Sequence, residues 1–545
     1  MNRPMNRYDY VIVGAGTAGC VMAARLSEDP KVRVLLLEAG QRDTHWSIRI
    51  PSAIGRNYQS GPFNWSFMST PQKHLNNRVV VQARGKVLGG SSSVNGMVYL
   101  RGHALDFERW VQEGAAGWSY AEVLPYFRRM ERFTGGASEY RGDSGPVTVR
   151  KGTTDHPINE AFVRAGDQAG HGLTDDVNGF RQDGFGSWNM NIDHGMRASS
   201  ARAYLRDAAE RANLTVLTEA FATRVLFDGD RAASVEYRRG GAVHCAEAER
   251  EIVLSAGGIK SPHLLMLSGI GPADHLREHG IGVRVDAPDV GQNVQDHMYL
   301  MLQYESKENI CLNPHARGWR MVMAGARWFA TRSGPAASNH IEVGAFFRSN
   351  GQVTHPDSQI HFRPLLLDPV TWLPSKVHGY NFGVGPLRPT AKGTVTLASA
   401  DPYADPIVDP NHLGTEKDRV DFRTQFKMTR EVGEQRAFDR FRRREVGPST
   451  EAKTDAEIDA LIRAYAHSAW HNVGACRMGS DARAVVTPDL KVNGVRGLRV
   501  ADTSSMPSMI SANTNCTTFM LGERAADLIK GGPMLAPLNL PFYRG

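Results

Sequence analysis

The chain has 545 residues, 41% of them hydrophobic and 22% charged, with a formal net charge of +7. That length exceeds one ordinary core and predicts two domains, and a near-average charged fraction argues against wholesale disorder. The excess charge is modest and no run of five or more Lys/Arg occurs, which speaks against a nucleic-acid partner and for scattered surface charge.

The stretch Met1–Tyr8 is short and polar, contains no apolar signal core, and leads into a strand. No apolar run reaches the roughly 18 residues of a spanning helix. Cys20, Cys245, Cys311, Cys476 and Cys516 are odd in number and widely spaced, so neither a disulfide framework nor a metal site is expected. A reducing cytoplasm is the expected location. The short apolar tail Pro533–Leu538 leaves a peripheral contact at the inner membrane open, with packing of the tail on the body as the blander reading.

Tyr8–Val13 reads as a buried strand, followed by Gly14-Ala15-Gly16-Thr17-Ala18-Gly19, a helix over Cys20–Ser27, and a second strand, Val32–Leu37, ending in Glu38. Gly14 permits the tight turn, Gly16 lets the backbone approach a pyrophosphate, and Gly19 lets the helix pack against the sheet. The helix N-terminus offers N–H groups to phosphate. Glu38 can accept from ribose hydroxyls and disfavours a 2′-phosphate. This is a dinucleotide site, and the motif alone does not separate FAD from NAD.

Arg84–Gly96 holds four glycines and three serines between the apolar segments Val79–Val81 and Met97–Leu100. Ordering such a loop without a ligand is costly, because glycine loses the most backbone freedom. Its donors suit a phosphate or a flavin edge. Glu251–Gly258 reads as a strand and turn, with Ser261-Pro262 starting a helix over His263–Ser268. The chain thus returns to a parallel sheet, and the dinucleotide domain is discontinuous.

Together these segments resemble the glucose–methanol–choline (GMC) oxidoreductase family, in its choline dehydrogenase and alcohol dehydrogenase branch. Residues 84–102 and 257–271 look like the two family signatures, and Val290–His297 adds to the likeness. The resemblance implies an α/β fold: a discontinuous Rossmann-like FAD domain, 1–155, 196–298 and 466–545, and an α+β substrate domain with an antiparallel sheet, 156–195 and 299–465. It implies FAD contacts at Gly14, Gly16, Thr17, Ala18, Gly19, Glu38, Ala39, Arg84, Leu88, Gly89, Gly90, Ser91, Asn95, Gly96, Met97, Val98, Val225, Ala256, Gly257, Ser261, Trp470, Asp502 and Asn515. Val94 stands where some relatives carry a linking histidine, so non-covalent FAD is expected.

Oxidising an alcohol removes a hydroxyl proton and a hydride. Histidine suits the first task, and a neighbouring amide can hold the oxygen as charge develops. The family pattern H-x-x-G-x-x-x-M-G is matched from His471 to Gly479. Eleven positions after Asp502 stands Asn513, the second member of the pair the family carries. Asn472 follows His471 where this branch usually has Pro. The resemblance also places Glu342, His378 and Trp470 in the substrate pocket. Cys476 and Cys516 read as packing residues.

The expected reaction is hydride transfer from the CH–OH group of choline or another primary alcohol to flavin N5, with electrons passed to a quinone, another acceptor or oxygen. An oxygen-using oxidase and a non-redox flavoprotein lyase remain as alternatives, and oligomeric state is left open.

Overall fold

The computed structural model describes residues 6–57, 61–369 and 371–544. Residues 1–5 of the polar N-terminal stretch therefore lie outside the described residues.

Two sheets organise the chain. The first is built on strands β1 (Asn6–Val13) and β2 (Val34–Leu37), joined by helix α1 (Thr17–Leu26). β1 and β2 pair in parallel, and Val11, Ile12 and Leu35 are fully buried. Strands with both faces covered read as continuous apolar runs, as these do.

The second sheet begins with β3 (Gly184–Ser187), and the chain then returns to the first through β4 (Leu214–Leu217), β5 (Phe221–Asp228), β6 (Arg231–Arg239) and β7 (Ala242–Leu254). Across the first sheet the order is β4-β2-β1-β7-β6-β5. The β4, β2, β1 and β7 neighbours run parallel, and β7, β6 and β5 form an antiparallel meander. Helix α2 (Gly257–Leu267) leaves β7. It starts before the expected His263, with Pro262 inside it. Pro262 is the sixth residue of the helix, past its first turn, so the helix forgoes one i→i−4 hydrogen bond there.

The second sheet continues with β8 (Met298–Ser306), β9 (Val343–Phe347), β10 (Ser358–Arg363), β11 (Gly379–Pro386) and β12 (Arg442–Val446), between which lies helix α3 (Gly318–Thr331). Its order is β12-β8-β11-β10-β9-β3, antiparallel throughout. The fold is thus a Rossmann-like α/β sheet joined to an α+β unit with an antiparallel sheet.

Side chains alternate across each strand of the second sheet. Ile360 and Phe362 enter an aromatic core with Tyr380, Phe382 and Phe438. Gln359, His361 and Arg363 face the opposite way, into a cavity. A large side chain fully buried in that core contributes about 1.5–3 kcal/mol.

Two late segments bind the sheets together. The short strand β13 (His467–Ser468) pairs with the start of β8, Met298 to Ser468 and Tyr299 to His467. Strand β14 (Leu498–Val500) joins the parallel edge of β7, and helix α4 (Thr514–Lys530) packs on α1, with Arg25 ion-paired to the buried Glu523 at 2.8 Å. The apolar tail lies on the body: Leu538 N–H donates to Ala121 O at 2.8 Å and Tyr140 Oη to Pro541 O at 2.7 Å. The five cysteines are free. Among the described residues no helix is long and apolar enough to cross a membrane, and no cluster of residues could hold a metal ion.

Candidate active site

One elongated cavity runs between the sheets. Glu38 and Ala39 line one end; Gly14, Gly16, Gly90, Ser91 and Gly257 line its middle; Asn95, Trp470, His471 and Asn513 line the other. Helices α1, α2 and α4 and a 3-10 turn at Gly90–Ser93 all begin on this wall, and none is capped by the side chain of its N-cap residue. Helix N-termini carry unsatisfied N–H groups and partial positive charge, which suits a pyrophosphate and the electron-rich edge of a flavin.

The glycines act in distinct ways. A Cβ on Gly14 would sit 2.5 Å from Ser255 O, and one on Gly19 would sit 2.0 Å from Gly14 O. Both permit close packing behind the wall. A Cβ on Gly16 would meet nothing nearer than 3.7 Å, so this position is open toward the cavity. Glu38 accepts from Ala15 N–H at 3.0 Å and Gly40 N–H at 2.8 Å. Burial raises its carboxyl to about 7 despite these bonds. Thr17 Oγ1 donates to Asn515 Oδ1 at 2.8 Å, joining the first helix to the last. Asp502 collects Gly257 N–H, Ser261 Oγ and Ser504 N–H at 2.6–2.8 Å. Asn95 Oδ1 accepts from Met97 N–H at 3.0 Å and Arg197 Nη1 at 2.8 Å, which fixes the orientation of its amide.

The catalytic end is a chain of oriented hydrogen bonds. His297, just before β8, meets His471, just after β13, because β8 and β13 pair. His297 Nε2 lies 2.9 Å from Leu387 O and can only donate to it. In the neutral ring Nδ1 is then an acceptor, and it lies 2.9 Å from His471 Nδ1. His471 must donate that bond, so its Nε2 carries the lone pair. Nε2 lies 3.3 Å from Asn513 Nδ2, while Asn513 Oδ1 accepts from Gln359 Nε2 at 2.9 Å. Burial, then the neighbouring His297, hold the His471 imidazole well below its ordinary pKa, so the ring is neutral.

The loop carrying His471 is pinned from behind. Asp296 Oδ1 accepts from His471 N–H at 2.7 Å, and Oδ2 takes His412 Nε2 at 3.1 Å and Ser468 Oγ. Burial alone would raise this carboxyl, but His412, Ser468 and Arg84 bring it down to about 2. Arg84 donates to Trp470 O and Asn472 Oδ1, and Asn472 Nδ2 donates to Gln82 Oε1 at 3.1 Å. Burial lowers Arg84 to about 10. Asn472 thus tethers the Gly/Ser loop to the His471 loop.

The structure departs from several expectations. Leu88 and Gly89 do not line the cavity; their N–H groups go to Gln41 O at 2.9 Å and Ala15 O at 2.8 Å. Val225 lies within β5 with its N–H on Ser268 Oγ at 2.9 Å, and Ser261 reaches the site only through Asp502. Glu342 is not a pocket residue. Its neighbour Ile341 takes the cavity-facing position, and the Glu342 carboxylate turns to Arg150 Nη2 at 3.1 Å, Thr153 N–H at 3.0 Å and Ser338 Oγ. His378 also lies outside the wall, because β11 faces the cavity at its other end, through Gly383 and Gly385. Residues not anticipated include His297, Gln359, Tyr299, His361 and Trp372. Ring centroids of Trp372 lie 6.1 Å from Trp470 and 6.0 Å from Tyr299, forming an aromatic wall near His471. The Asp296-His297 pair was visible in the Val290–His297 segment, but its partner is 174 residues away.

Sequence models of the GMC oxidoreductases match residues 8–299 and 389–522. The chain is 47% identical over 548 residues to the mitochondrial choline dehydrogenase of Homo sapiens, covering 99% of this chain and 92% of the relative. It is 45% identical over 533 residues to the oxygen-dependent choline dehydrogenase of Brucella ovis, covering 97% of each. Among solved structures it resembles pyridoxine 4-oxidase from Mesorbium loti, with a TM-score of 0.87 and 31% identity over 96% of this chain and 100% of that one. Formate oxidase of Aspergillus oryzae superposes with a TM-score of 0.91 at 26% identity, over 97% and 99% of the two chains.

Proposed function

Because the chain belongs to the GMC oxidoreductase family, we propose that it is an FAD-dependent dehydrogenase that oxidises the CH–OH group of choline or another primary alcohol. The observation that carries this reading is the hydrogen-bond chain Leu387 O–His297–His471–Asn513, which leaves the His471 Nε2 lone pair beside the Asn513 amide in the cavity that the first glycine turn also lines.

FAD, when bound, supplies the acceptor for the carbinol hydride. The converging helix N-termini would hold its pyrophosphate and flavin edge, Glu38 would hold its ribose, and Asn95 would stand beside the ring. Val94, which lines the same wall, offers no nucleophilic atom, in keeping with a non-covalent cofactor. His471 Nε2 accepts the hydroxyl proton. Asn513 Nδ2 holds the oxygen as negative charge develops, its donor end fixed by Gln359. A positioned base of this kind contributes about 10²–10⁴-fold. The product is an aldehyde, and electrons leave to a quinone or another acceptor.

Support for a choline-like substrate comes from the relatives named above and from the faces of Tyr299, Trp372 and Trp470, which suit a quaternary ammonium. An uncharged primary alcohol is the second reading: Arg363 lines this end, and the Glu342 carboxylate does not. Domain limits of 1–155, 196–298 and 466–545 for FAD, and 156–195 and 299–465 for substrate, fit the strands of the two sheets except for β13 and the first residue of β8, which belong to the second sheet. An anaerobic screen of alcohols, scored by loss of flavin absorbance and followed by reoxidation with a quinone or with air, tests all of this. A flavin that no alcohol reduces overturns it.

A further inference from the structure

Helix α3 (Gly318–Thr331) is built the wrong way round for a surface helix. Trp328 is buried, with its indole N–H on Gly195 O at 2.6 Å, and it is the residue that anchors the helix to the body. At 100° per residue, the opposite face carries Trp319, Val322, Met323, Ala326, Phe329 and Ala330. Trp319 is 70% exposed, Val322 65%, Met323 59% and Phe329 56%. Elsewhere on the described surface large exposed apolar side chains are mostly scattered, which is ordinary; a continuous stripe marks an interaction surface.

The charge around the stripe identifies the partner. Residues 313–334 contain Arg317, Arg320, Arg327 and Arg332 and no Asp or Glu. Arg320 and Arg327 project along one flank of the stripe, 80–100° from Trp319. An apolar face bearing Trp and Phe and edged by arginines has the composition of a helix lying in a membrane interface. A second copy of this chain docked about a twofold axis would bring these arginines against arginines.

We propose that the outward face of α3 seats the protein on an anionic phospholipid bilayer, with Trp319, Val322, Met323 and Phe329 entering the interface and Arg320 and Arg327 meeting lipid phosphates. The neighbouring segment extends the face. Arg317 Nη1 donates to Pro374 O at 3.2 Å, and Leu373 and Val377 are 65% and 46% exposed. Trp372, adjoining Leu373, lines the cavity beside Trp470. The seated protein therefore turns the substrate end of its cavity toward the bilayer, and an apolar quinone acceptor would come from that side; this last step rests on the dehydrogenase reading.

The test is flotation of the FAD-loaded protein with vesicles of phosphatidylcholine alone or mixed with phosphatidylglycerol. The wild type should float with the mixed vesicles, less so at high salt. The triple variant Trp319→Gln, Val322→Gln, Phe329→Gln should lose about tenfold or more in vesicle affinity. Arg320→Glu with Arg327→Glu should do the same. Both variants should keep their FAD and their reduction of a water-soluble dye, because every changed side chain is outside the cavity. Flotation reads no catalysis, so its failure is distinguishable from failure of the alcohol reading. The proposal is overturned if the wild type stays with the unbound fraction, if the variants float equally well, or if the triple variant instead dissociates an oligomer on size exclusion.

Discussion

Replacing His297 by Phe tests the hydrogen-bond direction on which the base depends. The substitution keeps a planar ring in place of one set 5.2 Å and 89° from His471. It removes the acceptor for His471 Nδ1–H and the donor to Leu387 O. His471 then has no reason to keep its proton on Nδ1, and moving it to Nε2 turns the base into a donor aimed at the alcohol. A buried N–H left without its acceptor costs about 1–3 kcal/mol, so flavin reduction should slow by about 5- to 150-fold. Rapid-mixing measurement of anaerobic flavin reduction isolates this step. The limiting rate should fall with little change in apparent substrate affinity. His297→Asn restores an acceptor oxygen near the Nδ1 position and should recover part of the loss, whereas His471→Ala, which removes the base itself, should lose about 10²-fold or more. If the Phe variant holds FAD and is reduced within about twofold of the wild-type rate, or if Asn is no better than Phe, His297 does not set the tautomer.

Gly16→Val should fold but fail to retain FAD, since its side chain has free space only toward the cavity, while Gly14→Ala should lower the melting temperature, with its Cβ 2.5 Å from Ser255 O at a φ of +99°. Absorbance of the purified proteins and thermal denaturation separate the two. Acid denaturation and filtration should carry the yellow colour into the filtrate, Val94 having nothing to attach it with; colour retained on the protein contradicts this. Asn472→Pro should weaken the link between Arg84 and the His471 loop and slow flavin reduction several-fold, with Asn472→Asp, which keeps the acceptor, less affected. Burial holds His103 and His467 at about 4 and His361 at about 3, all below the ordinary 6.5. Above 6.5 these rings are neutral in both states. As pH falls through 6.5 the unfolded chain binds protons that the folded chain refuses, so stability drops until about pH 3. Melting temperature should therefore decline steadily below about pH 6.5, and Asp296, held at about 2, should add its own loss only below its ordinary 3.8.

What the sequence revealed follows the range of the interaction involved. The Gly14–Gly19 turn, α1 and Glu38 are consecutive, and their chemistry is local, so strand, turn and acid could be placed without any partner. His471 and Asn513 were named through the likeness to the family's short motifs, and the structure brings the two side chains within 3.3 Å of each other. Glu342 and His378 were misplaced because pocket membership in a sheet depends on strand phase: one residue separates Ile341, on the wall, from Glu342, behind it. Val225, Leu88 and Gly89 were assigned by position, whereas their N–H groups are spent on other parts of the protein. His297 and Gln359 acquire their roles through contacts with residues 90 to 174 positions away, which no local pattern contains.

The joining of Thr17 to Asn515 and of Arg25 to Glu523 across 498 positions has a temporal consequence. A growing chain displays the first glycine turn 498 residues before the paired position on the helix that closes the nucleotide groove is made. Cofactor capture thus waits on a helix made long after the turn it completes. A chain arrested before residue 514 would hold an open cleft with bare helix ends, exposed to solvent and to proteases.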